Sequence, residues 1–524
     1  MTVERLQVPR PVKVGVEIEL PIASAADATS LAVPDVFDRL VADGDAEGRA
    51  PQPLSLGGRV VGLRDAAGMI SVDNGFNNLE ASLGPVTGLE QLDDEAREAL
   101  DRVGAAVAAS GGMLVNLAEH PFQPVSQAFY HATRAPKPVY DYWNEVRGWD
   151  HSAGIDAKAH NSPSTDVPVD RGADAVNLVL GFSAAFIALF ANSPYENGRA
   201  TGFRENRLTL WSRMCGGAHA ARDRSCFVPP AEPFVGLAAY MRWALGVDAP
   251  LPALPHGPAD LAPTSKIGGL VEVEGQPTLR EFLGQGRSWS GRLRGDDMVV
   301  QIRPSATHFA ALQSSNFLDA RLRFAFAPGR MPEPATLAAV VDSDAALARL
   351  MAETTSAVYL EGRAPGANLP DQELIDLGGE AVAASVVSAA GALQKGLLAV
   401  MDRGLAVIAR HGWARLMLLR ERAMRDGLAA EVDGLTAARL AAELVDLAGA
   451  GLDAREARFL AYPAFVLKTG QSGADRAIAM VEAGHDDMAA RLARLVFARR
   501  HVALGGAAPK ASAAAGLGQR SILR

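Results

Sequence analysis

Residues 12–20 read VKVGVEIEL and residues 69–83 read MISVDNGFNNLEASL. In the first stretch Val12, Val14, Val16, Ile18 and Leu20 alternate with Lys13, Gly15, Glu17 and Glu19, the period-two pattern of a strand buried on one face. Its open face carries two acids. In the second stretch Asn74-Gly75 is the pair favoured in a two-residue type I′ turn, which predicts a hairpin pairing Asp73 with Phe76, Ser71 with Asn78 and Met69 with Glu80. That register sets Asp73 and Glu80 on one face of the ribbon.

Four carboxylates, Glu17, Glu19, Asp73 and Glu80, therefore stand on strand faces near the start of the chain. Converging like charges repel, and a hard divalent cation such as Mg2+ relieves the repulsion. A cluster of that kind holds nucleotide phosphates. The plainer reading is four solvent-facing acids on amphipathic strands. No GxxxxGK[ST] loop, no G-x-G-x-x-G placed after a strand, no HExxH and no GxSxG occurs, so P-loop, dinucleotide, zincin and serine-hydrolase chemistry lose their usual signals.

Outward from these strands, Asp43 to Gly58 is polar and reads as a loop or insertion. Leu89, Leu92, Ala96, Leu100, Val103 and Val107 mark an amphipathic helix stopped at Gly111-Gly112, with a strand from Met113 to Leu117. In HSAGIDAKAHNSPS (151–164), Asp156, Lys158 and His160 recur at period two, which predicts a third strand with a polar face. Asp174 to Ala191 is nearly apolar and breaks at Asn192-Ser193-Pro194. Its most apolar part, Val176 to Ala191, is shorter than the roughly 20 residues of a membrane span and reads as a buried helix. Residues 246–265 are proline-dense and read as a lid, linker or peripheral loop. Beyond about Pro334 the pattern is helical, around 337–360, 371–412, 413–430, 436–449 and 474–502, and the tail from Gly505 is poor in bulky apolar residues.

The 524 residues are 48% hydrophobic and 21% charged, with a net charge of −9 spread in mixed-sign stretches. This is globular composition without a polybasic footprint, so small metabolites fit better than nucleic acid or a membrane surface. Cys215 and Cys226 are the two cysteines, so a disulfide framework is excluded and a reducing cytoplasm is expected. The opening MTVERLQVPR has no signal-peptide pattern.

The segment ALFANSPYENGRATGFRENRLTLW (188–211) resembles the signature of plant-type and proteobacterial glutamate-cysteine ligases, with Asn192, Ser193, Pro194, Gly198, Gly202, Arg207 and Trp211 in register. VGVEIEL, SVDNGFNNLEASLGP, GIDAKAHNSPS, TLREFLGQG (278–286) and TGQSGADRAIAMV (469–481) are similar to further family segments in the same order.

The resemblance implies an α+β fold: a curled antiparallel sheet forming a glutamine-synthetase-like funnel flanked by helices. Residues 1–334 would be the catalytic core, 335–503 a helical region packed on it, and 504–524 a disordered tail. It also implies ATP and Mg2+ as cofactors, with Glu17, Glu19, Asp73 and Glu80 as metal carboxylates. ATP would phosphorylate the side-chain carboxylate of an amino acid such as glutamate, and cysteine or another amine would attack the acyl phosphate. Arg207 and Arg321 would stabilise the transferring phosphoryl group, and Asp156, Lys158, His160, Asn192 and Trp211 would line the substrate pocket. The chain departs from the family in two places. Asp156, Lys158 and His160 replace a neutral Gln-x-Asn-x-Asp pattern, and FLDARLRFAFAPG, read as a helix with Asp319, Arg321 and Arg323, lacks an expected Glu-x-Arg. The same fold with a lost activity, serving binding or regulation, is the alternative from another class.

Overall fold

The computed structural model describes residues 11–216, 223–256, 269–295 and 298–504. Its centre is a nine-stranded antiparallel sheet built from β1 (Val14–Ser24), β2 (Gln52–Leu56), β3 (Arg59–Arg64), β4 (Gly68–Val72), β5 (Asn78–Val86), β6 (Gly112–Leu114), β7 (Asn161–Asp166), β8 (Ala320–Phe326) and β9 (Thr355–Gly362). The strand order is β8-β9-β7-β1-β5-β4-β3-β2, with β6 on the far end of β1. The alternation of β1 decides the layering. Val14, Val16, Ile18, Leu20 and Ile22 are all buried in the main core, each such side chain contributing about 1.5–3 kcal/mol.

Helices cover that apolar face. Leu89–Ala109 packs on β5, β6 and β1, Ala389–Ala399 on β7 and β1, and Gly172–Gly181 on β8 and β9. The apolar run before Asn192 is buried as expected, in two helices, Gly172–Gly181 and Ser183–Phe190, bent by 49°. Among the described residues no single helix is long and apolar enough to cross a membrane. The expected α+β class, antiparallel sheet and mostly helical C-terminal region are all present, the last running from Gln372–Gly378 to Met488–Ala498.

Several local expectations need correction. Ser71 lies opposite Glu80 and Met69 opposite Ser82, two residues from the expected register, and residues 73–77 form a five-residue connection. A type I′ turn needs positive φ at both central residues, and neither Asn74 nor Gly75 has it. Tertiary hydrogen bonds replace the turn: Phe76 N donates to Thr133 O and Ala135 N to Asn74 O. Because the slip is two residues, every side chain stays on its expected face.

The region 43–58 is not simply a loop: it holds the end of helix Val36–Ala46 and all of β2. Asp156 sits in a 3-10 turn, Ile155–Ala157, and the third strand starts at Asn161. FLDARLRF is strand β8, not a solvated helix. The helical pattern around 337–360 ends in β9, where Val358 and Leu360 alternate with Tyr359 and Glu361. β9 lies between β8 and β7, so the sheet crosses the boundary expected at residue 334.

The proline-dense stretch ends in Leu254–His256, which joins Gly269–Val273, Trp289–Leu293 and Val299–Ile302 in a separate four-stranded sheet. Its remainder at 257–265, the opening MTVERLQVPR and the tail from Gly505 lie outside the described residues.

Candidate active site

Residues directly opposite in an antiparallel pair share a face, so the register fixes the polar side of the sheet. Arg321 faces Glu361, Glu361 faces Ser164, Ser162 faces Glu17, Glu17 faces Ser82, and Glu19 faces Glu80, which faces Ser71. One sheet face thus runs from arginines at β8 to acids on β1 and β5, with Asp73 just past the end of β4.

At the acidic end, Glu19, Asp73 and Glu80 bring one carboxylate oxygen each within 4.8 Å of one another. Glu19 and Glu80 are buried. Glu19 accepts from His160 N at 2.8 Å, Glu80 from Ser82 Oγ at 2.9 Å and Asp73 from Asn74 Nδ2 at 2.6 Å. Burial, and then the charges of Asp73 and Glu80, push the Glu19 carboxyl well above its ordinary range, against the opposing pull of Arg363. A group of carboxylates, two buried and one half-buried, so crowded by like charge is a donor set that fits a hard divalent cation such as Mg2+. Glu17, expected as a fourth metal carboxylate, lies outside this trio, and its charge acts on Arg323, Tyr359 and Arg363 instead.

At the basic end, Glu361 is 2.7 Å from Arg321, 2.9 Å from Arg363 and 3.6 Å from Arg323. Burial alone would raise its carboxyl, yet the three guanidiniums hold it well below the ordinary range. Arg321 is pushed down to about 10 by burial and by the neighbouring guanidiniums, against Glu361. Three cations thus converge on Glu361, and the buried Nε atoms of Arg321 and Arg323 make no hydrogen bond. Such a guanidinium cluster fits a multiply charged oxyanion. Glu361 and Arg363 were missed in the sequence, although Glu361-Gly362-Arg363 is itself the Glu-x-Arg sought near residue 319.

His160 bridges the two ends. Its Nε2 is 3.3 Å from Glu19 and its Nδ1 is 2.8 Å from Ser162 Oγ. Burial and then Arg363 and Arg207 hold its pKa well below the ordinary value, which disfavours the charged imidazolium.

The other expected site residues are engaged in contacts within the fold. Arg207, expected to meet the phosphoryl group, is buried with Nε on Glu205 at 2.7 Å and donates to the carbonyls of Arg363 and Ala364, which fixes the strand end that carries Arg363. Asn192 is fully buried, and its Nδ2 donates to Asn116 and Ala367. Gly473 packs so close to it that a Cβ would meet Asn192 Oδ1 at 2.6 Å, which brings TGQSGADR against ANSP. Asp156 accepts from Thr133 Oγ1 beneath the 73–77 connection.

Lys158 lies in an ion network with Glu119 at 2.6 Å and Glu196 at 2.8 Å. Asn206 donates to Glu119, and Arg213 pairs with Glu196 through both terminal nitrogens. Burial raises Glu119 to about 7, while Glu196, despite burial, is held far below its ordinary range by Arg213 and Lys158. Trp211 stacks on Phe317, centroids 4.3 Å apart, and the Arg363 guanidinium lies 6.0 Å from the Phe317 ring centre.

Residues 14–245 match the family model described as Glutamate-cysteine ligase family 2 (GCS2). No curated protein matches the sequence. Among solved structures, the chain is similar to the glutamate-cysteine ligase of Francisella tularensis in complex with AMP, at 12% identity and TM-score 0.46, covering 93% of this chain and 88% of that one. It is similar to a bifunctional glutathione synthetase from Pasteurella multocida at 10% identity and TM-score 0.43, covering 93% and 52%. A ubiquitin-like protein ligase, PafA, in complex with Pup gives 11% identity and TM-score 0.37, covering 93% and 72%. The part of the chain that matches this family model, residues 14–245, carries the whole acidic end of the site.

Proposed function

We propose that the chain is an ATP- and Mg2+-dependent carboxylate-amine ligase that forms a γ-glutamyl amide through an acyl phosphate, with glutamate as the carboxylate and cysteine as the first-choice amine. The observation that carries this reading is the division of one side of the sheet into an acid trio and a guanidinium cluster around Glu361. Glu19, Asp73 and Glu80 would hold Mg2+, which when bound screens the phosphate charge. Arg321, Arg323 and Arg363 would orient the phosphoryl oxygens and stabilise the charge that develops on them. Arg207 acts through the carbonyls it holds rather than on the phosphoryl group.

A second reading keeps the chemistry and changes the amine or the carboxylate. Lys158 supports it, because this strand departs from the family pattern and Lys158 is spent on Glu119 and Glu196. The test is phosphate release from Mg-ATP with glutamate held constant and amines and amino acids added singly. Release that requires cysteine supports the first reading, and release that requires another amine supports the second. No release with any pair sinks both and favours a binding protein on this fold.

A further inference from the structure

We infer that Lys137 and Tyr140 are positioning residues for the acid trio: they hold the backbone at Asp73 so that its carboxylate meets Glu19 and Glu80, and so set the affinity of the trio for a divalent cation. The inference rests on the metal reading of that trio.

Past Val72 the ladder between β4 and β5 stops, and the carbonyls of the connection must find donors elsewhere. Segment 135–140 supplies them. Lys137 Nζ donates to Val72 O at 2.6 Å and to Asp73 O at 2.5 Å, Tyr140 Oη donates to Asp73 O at 2.7 Å, and Ala135 N donates to Asn74 O at 2.8 Å. Three consecutive carbonyls are thereby met from one short segment, and Asp73 O is met twice.

The clamp is rigid for a reason visible in the sequence. Lys137 is the N-cap of helix Pro138–Glu145, with Pro138 in its first turn, and Tyr140 stands three residues on. Both side chains are buried, at 5% and 3% exposure, so neither is free to swing away. Burying an ammonium group costs desolvation, which its two carbonyl partners offset in part. Asp73 is the one member of the trio that stands outside a strand, so its place depends on these donors while Glu19 and Glu80 are fixed by direct pairing.

The experiment is equilibrium binding of Mn2+ alone, read from the electron paramagnetic resonance signal of the free ion, with thermal unfolding of each protein as a control. Tyr140→Phe removes one donor and changes no charge, and it is expected to weaken Mn2+ binding about tenfold, the usual effect of losing a partner behind a metal ligand. Lys137→Met is expected to lose more. If it fails to fold, Tyr140→Phe decides. Folded Tyr140→Phe with wild-type Mn2+ affinity overturns the clamp, because a merely structural role shifts the melting temperature and not the affinity of the folded protein. Absence of Mn2+ binding in the wild type overturns the metal reading itself.

Discussion

Two arrays of charge, each with a buried core, lie near each other in this protein, and they are built on opposite principles. The Glu19, Asp73 and Glu80 trio gathers like charges. The network of Glu119, Glu196, Lys158 and Arg213 balances two acids with two bases, and Asn206 satisfies the remaining oxygens. The second is what burial of ions ordinarily requires. The first places acids side by side, which is the arrangement the proposed metal reading calls for.

The contrast breaks most sharply at Glu80. Glu80→Gln is expected to lower Mg-ATP turnover about 1,000-fold, since a metal-held charge contributes several kcal/mol to the transition state. In the presence of a chelator the same variant should melt at a higher temperature than the wild type, because one of the repelling charges is gone. Loss of activity together with a lower melting temperature would show the trio to be structural.

Lys158→Met should behave in the opposite sense. It leaves Glu119 and Glu196 facing each other without their shared cation, and is expected to cost about 3 kcal/mol in denaturant unfolding. A cost below about 1 kcal/mol would mean that the two arrays do not differ in kind. If the variant instead stayed stable and changed the amine preference, Lys158 would return to the substrate pocket.

The effect that pH alone would reveal concerns Glu119, whose carboxyl rises to about 7 through burial and the adjacent Glu196, against Lys158. A carboxyl raised on folding contributes stability that is complete below its unfolded pKa, near 4.5, and is lost as pH rises through its folded value. Stability should therefore fall between about pH 5 and 7 by up to roughly 3 kcal/mol, and Glu119→Gln should flatten that slope. An unchanged slope in unfolding measured across this range would remove Glu119 as its source.

Much of the acidic end was legible in the sequence, and for a local reason. Glu17 and Glu19 are two residues apart on one strand, and Asp73 and Glu80 flank one connection, so alternation alone placed each pair on a face even though the hairpin register was two residues off. Glu361 was passed over because β9 follows a run of Ala- and Leu-rich helix and carries only a short alternation of its own. Arg321 was assigned a role near the phosphoryl group and also read as helical; the strand geometry of β8 is what aims it at Glu361.

The residues of ANSP and Arg207 show the same limit in reverse. Their spacing marked them, yet their partners Asn116, Ala364 and Ala367 come from chain segments that spacing does not connect. The sequence by itself determined the two faces of β1, the helices that cover one of them, and the acids that stand on the other, because strand and helix periods are set by the backbone. Only the tertiary structure decided that Asp73 joins Glu19 and Glu80, that three arginines surround Glu361, and that Lys158 is spent on two buried acids. Each of those is a meeting of side chains from distant segments, and its energy depends on burial and on the charges nearby, which no local pattern records.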